Sequence, residues 1–150
     1  MPEYGAIVEW RSSGGFRDGT YSRAHSWRFD GGAVVPASSS PLSVPLPFSD
    51  PAGLDPEEAL VAATSSCHML WFLHLAKDAG LDVASYVDEA RGTLGKNAGG
   101  KIAITRIVLR PRLGFAGEPP EAETLARLHH EAHERCFIAN SLTAEIVVEG

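Results

Sequence analysis

Ala6 to Trp10 ("AIVEW"), apolar except at Glu9 and β-branched at Ile7 and Val8, predicts a β-strand. The "SSGGFRDG" that follows is turn chemistry. Thr20 to Phe29, "TYSRAHSWRF", predicts a second strand with Tyr21, Arg23, His25 and Trp27 on one face, an aromatic face with two polar residues in it. "DGG" then turns the chain and "AVV" starts a short strand. Pro36 to Pro51 holds five of the ten prolines, mixed with serine, and predicts a long irregular segment of the kind that serves as a lid or wrap.

A helix signal follows. Asp55-Pro56-Glu57-Glu58 offers an Asp N-cap, Pro at the first helical position and Glu at the third, the residues of a capping box. The helix is expected over Pro56 to Ala79 and stopped by Gly80. Its second half, with Met69, Leu70, Trp71, Phe72, Leu73 and Leu75, is apolar nearly all round, which predicts burial on every side. In a chain this small that points to the middle of a dimer. Asp82 to Gly95 and Lys101 to Phe115 predict two strands joined by "GKNAGGK". In the second, alternation at Ile102 and Ile104 resumes out of phase at Ile107 and Leu109, so a bulge or bend is expected. Gly117 to Arg135 predicts an amphipathic helix with Leu125, Leu128 and Ala132 on one face, and "TAEIVVE" a closing strand. Strands, helix, hairpin, helix and strand in that order, without repeats, make one α+β domain over residues 1–150.

Composition narrows the function classes. With 44% hydrophobic and 21% charged residues the chain is an ordinary globular one. A net charge of −6 argues against nucleic-acid binding, which needs clustered Lys and Arg. "MPEYGAIVEW" is unlike a signal peptide, and the run "MLWFLHLA" is too short to span a membrane. Two cysteines are too few for a secreted disulfide framework, so a reducing, cytoplasmic setting is expected.

The candidate chemistry centres on those cysteines, Cys67 in "TSSCHMLWFLHLA" and Cys136 in "LHHEAHERCFIANS". His129, His133 and Cys136 at i, i+4 and i+7 share a helical face that suits zinc, but the usual Glu beside the first His is His130 here, and no further Cys or His is near to close a structural site. A Cys67–His68 nucleophile and base is disfavoured, because adjacent helical residues point about 100° apart. Buried packing is the plain alternative for either thiol. Ser65-Ser66 offers a break in the helix that would put Cys67 in a first turn, where the helix dipole favours a thiolate. Glu57 stands ten residues before Cys67, about 15 Å along a straight helix, so linking them takes a break, a bridging residue or a dimer partner. Arg17 and Arg23 are candidate bridges, since a guanidinium holds a carboxylate in a planar pair and stabilises a nearby thiolate.

Three stretches, "LDPEEALVAATSSC", "GKIAITRIVLRPRL" and "AHERCFIANSLTAEIVV", together resemble the OsmC/Ohr family of osmotically induced and organic hydroperoxide resistance proteins, over nearly the whole chain. The resemblance implies an intertwined homodimer in which central buried helices are wrapped by antiparallel sheets and active sites form between subunits. It implies thiol-based reduction of an organic hydroperoxide, with Cys67 matching the peroxidatic cysteine, Cys136 the resolving cysteine and Glu57 the carboxylate that orients an arginine. A dithiol of lipoyl type is the implied reductant, and no cofactor or metal is. "GGFRDG" is similar to the stretch that carries the functional arginine of the Ohr branch and points to Arg17, with Phe16 inserted; the inward strand face points to Arg23. Phe137 in place of the usual Pro, and the stretch "YSRAHSW", suggest an OsmC-like branch of its own. Trp71, Phe72, Phe137 and Ile138 would favour an alkyl hydroperoxide over hydrogen peroxide. The rival reading is a non-enzymatic dimer that binds a small apolar ligand or a metal. Roles for His129, His130 and His133 stay open.

Overall fold

A computed structural model describes residues 1–149 of the chain. They divide into two compact units, residues 1–59 and the described residues from 60 onward, with the boundary in the first turn of the long helix.

In the first unit, β1 (Ile7–Glu9), β2 (His25–Arg28) and β3 (Val34–Ala37) form an antiparallel sheet in that order. The strand expected from Thr20 shrinks to His25–Arg28, because residues 20–24 join no strand ladder. Arg23 donates its backbone N–H to the Phe48 carbonyl, and its side chain folds back onto the carbonyls of Gly19 and Tyr21. The "GGFRDG" turn holds its glycines at positive φ, 76° at Gly15 and 75° at Gly19, where a side chain would be strained. The Pro-rich segment is irregular as expected, except that Pro36 and Ala37 belong to β3. Pro36 is tolerated there because β3 is an edge strand. The segment returns to the sheet through Leu54 N–H to the Pro36 carbonyl at 2.9 Å and Ser38 N–H to the Leu54 carbonyl at 3.0 Å.

The helix α1 (Pro56–Asp78) starts on the expected capping box. Asp55 Oδ1 accepts from Glu58 N–H at 2.8 Å, and Glu58 Oε1 accepts from Asp55 N–H at 3.0 Å. It ends at Gly80, φ 81°, with Gly80 N–H on the Lys77 carbonyl and Leu81 N–H on the Ala76 carbonyl. No break occurs at Ser65-Ser66. Only one stripe, Thr64, His68, Phe72, Leu75 and Ala76, is fully buried, while Leu70 is 61% exposed. All-round burial is therefore not achieved by one chain, which supplies a single packing layer to a helix with apolar residues on every side. By length and composition alone the whole helix is long and apolar enough to cross a membrane, which the shorter run "MLWFLHLA" did not suggest.

In the second unit each arm of the predicted hairpin is divided in two. β4 (Val83–Asp88) pairs with β7 (Pro111–Phe115), and β5 (Arg91–Lys96) pairs with β6 (Ile102–Leu109), all antiparallel. The arms break at the same level, Glu89-Ala90 and Arg110, because Pro111 has no N–H to continue the ladder. Asp88 Oδ1 takes the freed Arg110 N–H instead, at 2.6 Å. The phase change in the isoleucine pattern is a bulge at Thr105, which pairs with nothing while Thr93 faces Arg106 and Leu94 faces Ile104. β8 (Glu145–Val148) adds to β6 in parallel, so this sheet is mixed where the resemblance implied antiparallel pairing throughout. The second helix, α2, covers Ala122–Arg135 and begins five residues later than expected. Pro119-Pro120 disfavour helical backbone in the residues before them, and Glu121 is still extended. A one-turn helix, α3 (Phe137–Asn140), follows. The core of this unit joins Phe72, Leu75 and Ala76 of α1 to Leu128 and Ala132 of α2, with Tyr86 and Leu113 packed on it.

Candidate functional site

Cys67 lies in the middle of α1, so the helix N-terminus gives its thiol no help. It is half-buried, whereas Cys136 is buried. Cys136 sits between α2 and α3, and its Sγ accepts the Ala139 N–H at 3.4 Å, capping the one-turn helix. Burial pushes the Cys136 thiol up to about 11, against the pull of that N–H, and the nearby Cys67 thiol raises it further. Both thiols are free. The fold thus brings together two cysteines that stand 69 positions apart in the sequence.

One turn after Cys67, Trp71 meets Phe137 edge-on at 5.6 Å, and the Arg135 guanidinium lies 5.7 Å from the indole centre. Sequence reasoning missed Arg135. It stands one residue before Cys136, and no pattern on α2 alone reveals that its side chain reaches Trp71.

The first unit gathers the other predicted residues. Arg23 and Glu57 both line a cavity of about 360 Å³, with Trp10, Tyr21 and a run of serines, Ser38 to Ser40. Arg23 is held over the Tyr21 ring, 3.6 Å from its centre, and hydrogen-bonds the Gly19 and Tyr21 carbonyls. Tyr21 packs with Trp10 and Phe16. His25 belongs to the same wall: its Nδ1 bonds to the Arg23 carbonyl at 2.7 Å, which sets the tautomer, and its Nε2 accepts from Trp27 Nε1 at 3.1 Å. Arg17 lies exposed in the Phe16–Gly19 turn and is not part of this cavity wall.

Of the candidate histidines, His68 and His129 form a buried pair, while His133 is half-buried and His130 exposed. His68 Nε2 and His129 Nδ1 are 3.0 Å apart with their rings stacked, and Phe72 stacks on His129 at 4.2 Å. His68 therefore faces His129 and does not serve Cys67. Burial lowers His68 to about 4, with the nearby His129 and His133 adding to the effect, and burial also lowers His129 while Asp88 opposes it. Among the described residues no group of three or more His, Cys, Asp or Glu side chains is arranged to hold a metal ion. His129, His130 and His133 line a second cavity of about 540 Å³ whose other walls are mainly apolar.

An α+β protein with paired thiols between a long central helix and the end of a second helix is the class these features define. The family model for OsmC-like proteins matches residues 49–149, and the chain belongs to that family. It is similar to an OsmC-like protein of unknown function from Vibrio cholerae, at 53% identity over 99% of both chains with a TM-score of 0.97. It shares its fold with the organic hydroperoxide resistance protein OhrB of Bacillus subtilis, at 18% identity over 97% of each chain and a TM-score of 0.65. An OsmC-like protein from Mycoplasma pneumoniae is similarly related, at 14% identity over 99% of this chain and 95% of the other, with a TM-score of 0.73. Among curated proteins none matches.

Proposed function

We propose that this protein is a thiol-dependent reductase of organic hydroperoxides. The observation that carries the reading is the adjacency of the Cys67 and Cys136 thiols in their different settings. A thiol held protonated up to about 11 is a poor first nucleophile, so Cys136 is assigned the resolving role and the half-buried Cys67 the attacking one.

The Cys67 thiolate attacks the distal oxygen of R–O–OH. An S–O bond forms, the O–O bond breaks, and the alkoxide takes a proton to leave as the alcohol. Cys67 is then a sulfenic acid. Cys136 attacks its sulfur, the hydroxyl departs with the Cys136 proton as water, and a disulfide remains. Two electrons from an external dithiol, of lipoyl type by family resemblance, return both thiols. Arg23, which shares a cavity wall with Glu57, is assigned the guanidinium that stabilises the thiolate and the developing alkoxide charge. Glu57 orients it, and Arg17 is the alternative cation. A homodimer is proposed to cover the exposed side of α1 around Leu70. The reducing cytoplasm is the proposed compartment, which suits two free thiols.

The test is a thiol titration of reduced protein before and after one equivalent of cumene hydroperoxide, read by mass spectrometry. A Cys67–Cys136 disulfide reversed by a dithiol is the expected product. Cys67→Ser should leave both peroxide consumption and oxidation of Cys136 at background, and Cys136→Ser should stop at Cys67 sulfenic acid. Two intact thiols after excess peroxide would overturn the reading.

A further inference from the structure

The second unit contains a cavity that the thiol chemistry does not use. It holds about 540 Å³, within the roughly 300–1,000 Å³ of small-molecule sites. Phe115 of β7, Leu125 of α2 and Ile146 of β8 give it apolar walls, and His129, His130 and His133 form one side. His129 is only 8% exposed, and His133 carries a buried Nδ1 with no hydrogen-bond partner. An apolar hole of this kind has no structural need for imidazoles at its wall, since Phe or Leu would pack there without polar atoms to satisfy.

The proton positions on the cluster follow from the cost of unpaired groups. His68 Nδ1 is sealed from water and has no partner. If His68 Nε2 accepted the bond from His129, the His68 proton would sit on Nδ1 as a buried, unpaired N–H. If Nε2 donates, Nδ1 is left with only an unfilled lone pair, the lesser penalty. His68 Nε2–H therefore donates to His129 Nδ1 at 3.0 Å. The neutral His129 ring must then carry its own proton on Nε2. That N–H has no partner among the described residues and, unlike the His68 and His133 Nδ1 atoms, is not sealed off. It is a free donor at the wall of the cavity that His129 lines.

We infer that this cavity is a binding site for a small, uncharged, chain-like apolar molecule with one oxygen acceptor, a primary alcohol or a carbonyl compound, whose oxygen takes the His129 Nε2–H while its chain lies against Phe115, Leu125 and Ile146. Neutrality is part of the assignment. Burial keeps both His68 and His129 uncharged at neutral pH, so the site offers a donor without a compensating positive charge, and a carboxylate would be desolvated against it at a loss. The site stands apart from the peroxidase reading and does not depend on it.

The experiment is calorimetric titration of the reduced, full-length protein with 1-decanol, decane and decanoate, together with ¹⁵N spectra of the histidine side chains. Decanol is expected to bind about tenfold more tightly than decane, the worth of one buried hydrogen bond of about 1.4 kcal/mol, and more tightly than decanoate. The His129 Nε2 resonance should shift on adding decanol and stay put on adding decane. His129→Gln, which keeps a donor, should retain most of the preference, and His129→Leu should remove it. Leu125→Trp, which fills the cavity, should abolish binding while leaving the peroxide-dependent loss of thiols as it was. Equal affinity for decane and decanol, tighter binding of decanoate, an unmoved His129 resonance, or no binding of decanol at all would each overturn the assignment.

Discussion

The cavity beside Arg23, about 360 Å³, and the cavity beside His129, about 540 Å³, differ in the ionisable groups they set at their walls. The first sets a guanidinium and a carboxylate, Arg23 and Glu57, among aromatic rings and serine hydroxyls. Both charged residues are half-buried, and Arg23 is held by two carbonyls and the face of Tyr21. The second sets histidines against apolar walls, and those behind its surface are buried deeply enough to be neutral. The difference teaches where each chemistry can live. An imidazole enclosed by α1 and α2 gives up its proton rather than its packing.

The largest expected effect comes from removing the ring that holds the histidine wall. Phe72 is fully buried and stacks on His129. Phe72→Ala should cost about 3–5 kcal/mol in urea unfolding, the range for emptying a core aromatic site, and should free His129 to titrate nearer its ordinary range. A loss under 1 kcal/mol would mean that the wall is held by something else.

Acid should weaken the second cavity next. His68 titrates at about 4 in the folded protein and near 6.5 when unfolded. Between those values the unfolded chain binds the extra proton, so stability falls as pH drops below about 6.5 and levels off below about 4. The loss approaches about 3 kcal/mol at most. Urea midpoints at pH 7.5 and 4.5 measure it, and His68→Gln should flatten the slope. At the other extreme Cys136 keeps its proton up to about 11 where the unfolded thiol loses it near 9, so stability also declines as pH rises through that window.

The first cavity should respond in activity rather than stability. Arg23→Ala is expected to lower kcat/KM for cumene hydroperoxide about a hundredfold, the usual worth of one stabilising group at a developing charge, with Arg17→Ala nearly silent. The reverse ranking would move the catalytic cation to the Phe16–Gly19 turn. The smallest effect belongs to the cap of α1. Asp55→Ala removes one half of the Asp55–Glu58 pair and should cost about 1 kcal/mol by thermal unfolding.

Much of the fold was legible where the signal is local. The capping box at Asp55 and Glu58, the glycine stop at Gly80 and the phase change around Thr105 each act through neighbours a few residues away, and each is found where the pattern put it. Longer strands were read through points where the chain bends. Nothing before His25 announces that Arg23 turns back on the Gly19 and Tyr21 carbonyls, and the partner of Arg110 N–H is Asp88, 22 residues away. The cysteines were visible as candidates, but a break at Ser65-Ser66 was not realised, since the helix is held by packing along Thr64, His68 and Phe72 whatever the local preference of serine.

The sequence by itself determined the order of the main elements and the two candidate thiols, because hydrophobic period and caps are properties of neighbouring residues, and the resemblance of three stretches pointed to the family. Only the tertiary structure decided which thiol is buried, that His68 bonds His129 instead of serving Cys67, that Arg23 shares a cavity with Glu57, and that β8 runs parallel to β6. Burial and pairing across tens of residues depend on how whole elements pack. The same side chain is a charged ligand, a neutral donor or core filling according to what that packing sets against it.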